Sequence, residues 1–272
     1  GPMEDLSYEV TEIGLSLFDF QLFRDKMIAK KSFWKDTLFL IGQNFLKDTT
    51  SKDALNLVRS IAENEGARYL VLHPNASTVG SLELGFLTDA KMKADIFRDS
   101  DVIYNLGCES IKPKNDCFII YQGSHGDRGA EIADLVLPSA AFTEQNGLYE
   151  NLEGRVQECK KASYPIGEAL EDWKIFNLIF KKLQKKENIA NFNSLRAEVL
   201  KLIPNFTNLN ELPIYEESKL KSSSSLFKSE DIIIKELDFY FTNSISRASK
   251  TMSECRQIKQ NTKDEFSSCC VY

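Results

Sequence analysis

The chain has 272 residues, 42% of them hydrophobic and 27% charged, enough for one large domain or for a domain with an extension. Its 34 basic and 40 acidic side chains give a net charge of −6, which argues against nucleic acid as a partner because phosphate binding needs a basic surface. No apolar run approaches the roughly 20 residues of a membrane-spanning helix, and the mean hydropathy of −0.30 is that of an ordinary water-exposed chain.

Gly1-Pro2-Met3 reads either as a scar left by a protease ahead of a start methionine or as a mature end. Glu4, Asp5, Glu9 and Glu12 make the start acidic, unlike an Arg-rich targeting peptide. Residues 15–28 place aromatic and apolar side chains at helical spacing. Residues 37–42 (TLFLIG) are a short apolar run ending in glycine, which predicts a buried strand. A helix over 53–65 follows, with Ala54, Leu57, Val58 and Ile61 on one face. Residues 68–73 (RYLVLH) predict a second strand, stopped by Pro74. Helices are expected at 79–86 and 91–98, and strands at 101–107 (DVIYNLG), 116–122 (DCFIIYQ) and 135–137.

Strands that are apolar throughout and alternate with helices imply an α/β fold, a parallel sheet flanked by helices. Beyond it, residues 168–186 predict a helix. Leu170, Trp173, Phe176, Ile179, Phe180 and Leu183 form its stripe, with an acidic start and a basic end that suit the helix dipole. A helix at 192–202 is cut by Pro204. Residues 205–229, with Pro213 and the serine run 222–225, read as a linker or surface arm. A strand-like run at 231–241 and a helix at 244–260 follow. The expected division is an N-terminal segment (1–36), an α/β domain (37–204) and a mostly irregular and helical C-terminal extension (205–272).

The six cysteines (108, 117, 159, 255, 269 and 270) show no Cys-x-x-Cys spacing, and adjacent Cys269 and Cys270 chelate one ion poorly, so no metal ligands are assigned. The richest stretch is 122–157. Gly123, Gly126 and Gly129 punctuate the loop after the 116–122 strand with the spacing Gly-x-x-Gly-x-x-Gly, which is not the dinucleotide fingerprint. Loops at the carboxyl ends of parallel strands are where α/β proteins place ligands, so Gly123, His125 and Gly126 are candidate pocket residues. A tight turn explains the glycines equally well. His125 stands beside Asp127 and Arg128, but one histidine without a nucleophile in reach does not make a catalytic site. Further on, Glu144, Glu150, Glu153 and Arg155 offer either acid–base chemistry or an ion-pair network. Asn151, Glu153, Gly154, Arg155 and Gln157 read as a polar turn in which Gly154 supplies a positive φ.

In order and spacing, 132–138 (IADLVLP), 141–144 (AFTE), Gly147, 151–157 (NLEGRVQ) and 171–175 (EDWKI) resemble the molybdopterin oxidoreductase pattern. Residues 73–86 (HPNASTVGSLELGF), 117–127 (CFIIYQGSHGD) and 239–255 (FYFTNSISRASKTMSEC) resemble the large iron–sulfur subunit of respiratory complex I, NADH:ubiquinone oxidoreductase. The resemblance covers about 35–260. It implies an electron-transfer subunit of the mitochondrial matrix arm whose N-terminal half carries iron–sulfur clusters. This chain departs from that pattern in lacking the cluster cysteines, so it resembles only the C-terminal portion, from a split gene or a truncated product.

The expectation is therefore a non-catalytic structural piece of the proton-translocating NADH:ubiquinone reductase, with no cofactor of its own. Its partners would be other complex I subunits, above all an N-terminal chain bearing the iron–sulfur clusters. Gly123, His125, Gly126, Asn151, Glu153 and Arg155 would mark a vestigial cleft. The alternatives are an active molybdopterin- or nucleotide-binding oxidoreductase fragment, which Gly147 favours, and a free-standing α/β binding protein with its ligand in the 123–129 loop.

Overall fold

The computed structural model describes residues 7–27, 31–42, 45, 51–73, 75–76, 78–86, 95, 97–109, 111–114, 116–183, 189–213 and 238–269, with side chains of the last helix described to 261. The chain forms two compact units. The first holds Gly1–Val79, Leu152–Gly154 and Pro213–Leu237; the second holds Gly80–Asn151, Arg155–Leu212 and Asp238–Tyr272.

In the first unit, helices α1 (Leu17–Met27), α2 (Lys31–Lys35) and α3 (Ser51–Glu65) accompany strands β1 (Leu38–Gly42) and β2 (Arg68–Leu72). The strands pair in parallel, Leu38 opposite Arg68 and Leu40 opposite Leu70. The core is built on Trp34, which is fully buried among Leu57, Ile61 and Ala67, with Phe20, Phe23, Met27 and Phe39 packed against it. Phe39 stacks on the Trp34 indole with ring centres 6.0 Å apart. The apolar spacing read from α3 is the spacing that is buried: Ala54, Leu57, Val58 and Ile61. Successive strand residues point to opposite faces. Phe39 and Ile41 therefore serve the core, while Leu38, Leu40 and Leu72 on the other face are 51%, 61% and 40% exposed.

The second unit contains most of α4 (Thr78–Glu83) and a three-stranded parallel sheet, β3 (Val102–Leu106), β4 (Phe118–Gly123) and β5 (Leu135–Pro138), in that spatial order. One face packs inward through Ile103, Ile119 and Tyr121. The other leaves Val102 57% and Phe118 46% exposed, opposite each other in register. Helix α5 (Arg128–Glu131) connects β4 to β5. An antiparallel hairpin follows, β6 (Gly147–Glu150) and β7 (Val156–Cys159), then α6 (Asp172–Lys182), α7 (Phe192–Leu202) and a 3-10 turn at Pro204–Thr207. Val156 packs with Ile203 and Phe206 in a small core beneath the hairpin. Helices α8 (Ser244–Ala248) and α9 (Lys250–Cys269) close the chain.

Three local readings are revised. Helix α6 starts at Asp172, not at 168, because Leu170 is used otherwise: its carbonyl accepts from Ala140 N at 2.8 Å and its N–H donates to Pro138 O at 3.3 Å, forming a parallel bridge with Ser139. The stretch 147–159 is a hairpin, not only a polar turn, although the turn is there and Gly154 has φ +79°. The 244–260 helix is two helices, broken at Ser249, whose ψ of 121° is extended. Most of the 91–98 helix, the 214–229 arm, residues 231–237 and Cys270 lie outside the described residues; 238–241 is a turn.

Candidate functional site

The carboxyl ends of β3, β4 and β5 gather the polar groups of the second unit. Gln122 stands next to last in the otherwise apolar β4, and its side chain is fully buried. A buried amide must find partners on both sides. Its carbonyl oxygen accepts from the Tyr104 hydroxyl, and its NH2 donates to Asp172 Oδ1 at 2.6 Å. The other oxygen of Asp172 accepts from Gln145 Nε2 at 2.9 Å, and Asp172 N–H donates to Gln145 Oε1 at 3.3 Å. Burial, and then the Asp172 charge, push the Tyr104 hydroxyl above its ordinary range, which keeps it a donor. This chain of four side chains ties β3, β4 and the segment before β6 to the first residue of α6.

Beside it, Glu171 is buried and receives Trp173 Nε1–H at 2.7 Å, Lys161 Nζ at 3.4 Å and Lys174 Nζ at 3.5 Å. Burial acts to raise its pKa, but the Trp173 N–H and the two lysines outweigh that, and the carboxyl sits below its ordinary value.

The loop after β4 holds three of the sequence candidates. Gly123 ends β4, where a Cβ would collide with the Tyr121 hydroxyl oxygen. The carbonyl of His125 accepts from that hydroxyl at 3.1 Å, and its Nδ1 lies 3.0 Å from Ser124 Oγ. Gly126 is open, with nothing within 4 Å of the position a Cβ would take. Asp127 does not turn to His125. It caps α5 by accepting from Gly129 N–H at 3.1 Å and accepts from Arg247 of α8 at 3.4 Å. Arg247 also pairs with Glu109, in the loop after β3.

The remaining candidates belong to the hairpin turn. Asn151 N–H donates to Arg155 O, and Asn151 Oδ1 accepts from Arg155 N–H, both at 3.0 Å. Arg155 donates from its guanidinium to Asn210 O, and Glu153 lies exposed in the turn. Their roles are thus hairpin closure and a tie to the segment after α7. Glu150, at the end of β6, is 3% exposed, and its Oε2 has no hydrogen-bond partner among the described residues. Burial, followed by the charge of Glu83 on α4, raises its pKa to about 7.

A groove of about 310 Å³ runs along edge strand β5 and α6, lined by Leu137, Pro138, Leu170, Ile175, Ile179 and Leu183 among others, none of them from the 123–129 loop. Among the described residues, no three His, Cys, Asp or Glu side chains come together to hold a metal ion. The described cysteines are scattered: Cys117 is buried on the way into β4, Cys108 is exposed, and Cys159 and Cys255 lie on separate elements. They do not fit an iron–sulfur cluster, which needs convergent thiolates. At the ends of β3 and β4 the carboxylates of Glu109 and Asp127 already share the Arg247 guanidinium, a poor seat for the phosphate of a molybdopterin or nucleotide.

Parallel strands, joined through helices at β1–β2 and β4–β5, with a glycine-punctuated loop at the carboxyl end of β4, define an α/β protein. Residues 1–182 match the Molybdopterin oxidoreductase family model, and the chain belongs to that family. Residues 214–255 match a second model, that of the C-terminal region of the NADH-ubiquinone oxidoreductase G subunit. The NADH-ubiquinone oxidoreductase 75 kDa subunit of Reclinomonas americana is 34% identical over 277 residues, covering 95% of this chain and 40% of the relative. The mitochondrial 78 kDa subunit of Candida albicans is 35% identical over 242 residues, covering 81% and 33%. The mitochondrial 78 kDa subunit of Neurospora crassa is 33% identical over 236 residues, covering 80% and 30%. The similarity to the large complex I subunit read from the sequence is what these comparisons find, and the chain spans at most about 40% of these relatives' lengths.

The polar chain through Gln122 and Asp172 and the Arg247 pairing are not among the residues that sequence reasoning singles out. One signal is present: a glutamine closes the apolar run 116–122. Arg247, in contrast, is one arginine in a polar helix, with nothing local to mark it.

Proposed function

We propose that this chain is a non-catalytic structural portion of the electron-transfer subunit of the peripheral arm of NADH:ubiquinone oxidoreductase, on the matrix side of the mitochondrial inner membrane. Iron–sulfur clusters would reside in a partner chain corresponding to the N-terminal half of its relatives. In this reading residues 37–204 are the scaffold domain, 205–272 an arm, and Gly123, His125, Gly126, Asn151, Glu153 and Arg155 keep the shape of a former cleft.

One observation carries the reading. Purely parallel strands occur almost only where both faces are covered, and among the described residues each parallel sheet leaves apolar side chains open on one face, in the second sheet beside the part that α6 covers at Tyr104 and Gln122. Leu38, Leu40 and Leu72 line the first, and Val102, Phe118 and Leu106 the second. Apolar faces of this kind are the surface an obligate partner would bury. The test is co-expression with a chain carrying the cluster cysteines, followed by native gel and metal analysis. The expected result is a stoichiometric complex migrating with NADH dehydrogenase activity, with iron only in the partner. A lone monomer, or stoichiometric metal in this chain, overturns the proposal.

A further inference from the structure

We propose that the C-terminal segment is an intramolecular plug: residues 238–256 seat the Arg247 guanidinium between Glu109 and Asp127, filling the crevice at the carboxyl ends of β3 and β4. That crevice lies at the carboxyl ends of the strands, the end of a parallel sheet at which α/β proteins place ligands, although the sequential order β3-β4-β5 puts no topological switch point there. Its two walls are held close together. Gly107 N–H donates to Gln122 O at 2.9 Å. The Asn105 side chain accepts from Cys108 N–H at 2.9 Å and donates to Cys108 O at 2.7 Å. On the other wall, Gly129 approaches so closely that a Cβ would lie 2.5 Å from Cys108 O. The loop bearing Glu109 and the helix start bearing Asp127 are therefore pressed together, and one guanidinium reaches both carboxylates. All three side chains are largely buried, with 26%, 12% and 20% exposure for Glu109, Asp127 and Arg247. Arginine suits this seat because its planar fork presents several donors in fixed directions, and charge-assisted pairs are about twice as strong as neutral ones.

The plug is folded in its own right. Asp238 accepts from Tyr240 N–H at 3.1 Å and Phe241 N–H at 3.2 Å, and its second oxygen takes Arg256 Nε–H at 2.5 Å. The Arg256 guanidinium also lies 4.6 Å from the centre of the Phe241 ring. Asn243 and Ser246 form a reciprocal capping box at the start of α8. These contacts are made within the segment and do not use Arg247, so seating the guanidinium need order little more than one side chain. The crevice carboxylates repel a phosphate and accept a guanidinium, and while the segment is docked that guanidinium is the chain's own. This holds whether or not a partner chain binds elsewhere.

Hydrogen exchange on the full chain tests the assignment. Wild type should protect amides in both 123–131 and 244–256. Arg247→Ala should speed exchange in both segments by about tenfold or more, the loss expected of a charge-assisted pair. Ethylguanidinium added to this variant should restore protection to 123–131 but not to 244–256. Glu109→Gln should give a smaller effect of the same pattern, and it carries the test if Arg247→Ala does not fold. Faster exchange in 244–256 alone would mean that the segment is attached without filling the crevice, and would overturn the proposal. So would failure of ethylguanidinium to protect the loop.

Discussion

Gln122 on β4 donates its buried side-chain amide to Asp172, the first residue of α6, across 2.6 Å and 50 residues of chain. The same carboxylate receives Gln145, so Asp172→Ala leaves a fully buried glutamine NH2 and a second amide without their acceptor. An unsatisfied buried donor costs about 1–3 kcal/mol. We expect urea unfolding to show a loss of roughly 2–3 kcal/mol for Asp172→Ala and clearly less for Asp172→Asn, which keeps one acceptor oxygen. Equal losses would show that the carboxylate is not the hub of the network.

Two glycines of one loop should respond oppositely to alanine. At Gly129 a Cβ would meet Cys108 O at 2.5 Å and the Tyr121 ring at 2.9 Å, and neither backbone carbonyl nor packed ring can move freely. Gly129→Ala should cost on the order of 2–3 kcal/mol and lower the thermal midpoint. At Gly126 nothing lies within 4 Å, and Gly126→Ala should be neutral or stabilising by about 0.5 kcal/mol through the unfolded chain. A cofactor-shaped loop would need both glycines; a structural turn needs only Gly129.

The strands of the parallel sheets are legible in the sequence because each is a short, mostly apolar run bounded by a glycine, proline or polar residue, as at Gly42 and Pro138. The β6–β7 hairpin is not, because its pairing rests on Val156 meeting Ile203 and Phe206, contacts set about 50 residues downstream. The start of α6 is misplaced for a related reason. Nothing near Leu170 tells that its backbone is engaged by Pro138 and Ala140. Among the candidate site residues, the glycine loop and the Asn151–Arg155 turn are visible as turn chemistry. Arg247 is not, since its partners Glu109 and Asp127 lie 138 and 120 residues upstream.

Glu150 predicts a pH dependence. Its folded-state pKa is raised to about 7 by burial and by Glu83, above the ordinary carboxylate value. The folded chain therefore holds a proton that the unfolded chain releases, and stability falls as pH rises from the ordinary carboxylate range through about 7. Allowing for screening, the loss is on the order of 1–2 kcal/mol. Glu150→Gln removes the titration, so its urea midpoint should fall less than the wild-type midpoint between about pH 5 and pH 8. Parallel pH profiles for the two proteins would rule Glu150 out as the source.

Leu40 separates folding from assembly. Its side chain is 61% exposed on the open face of β1, whereas its neighbour Ile41 is in the core. Leu40→Asp should therefore change the stability of the isolated chain by less than about 0.5 kcal/mol. In a complex that buries this face it would place a charge in an apolar interface, where an unpaired carboxylate is strongly penalised. The expected outcome is a normally folded chain that no longer co-purifies with the proposed cluster-bearing partner, while Leu22→Asp, on exposed α1 surface, still does. Unimpaired co-purification of Leu40→Asp would show that the partner, if present, covers some other surface than the leucine face of β1 and β2.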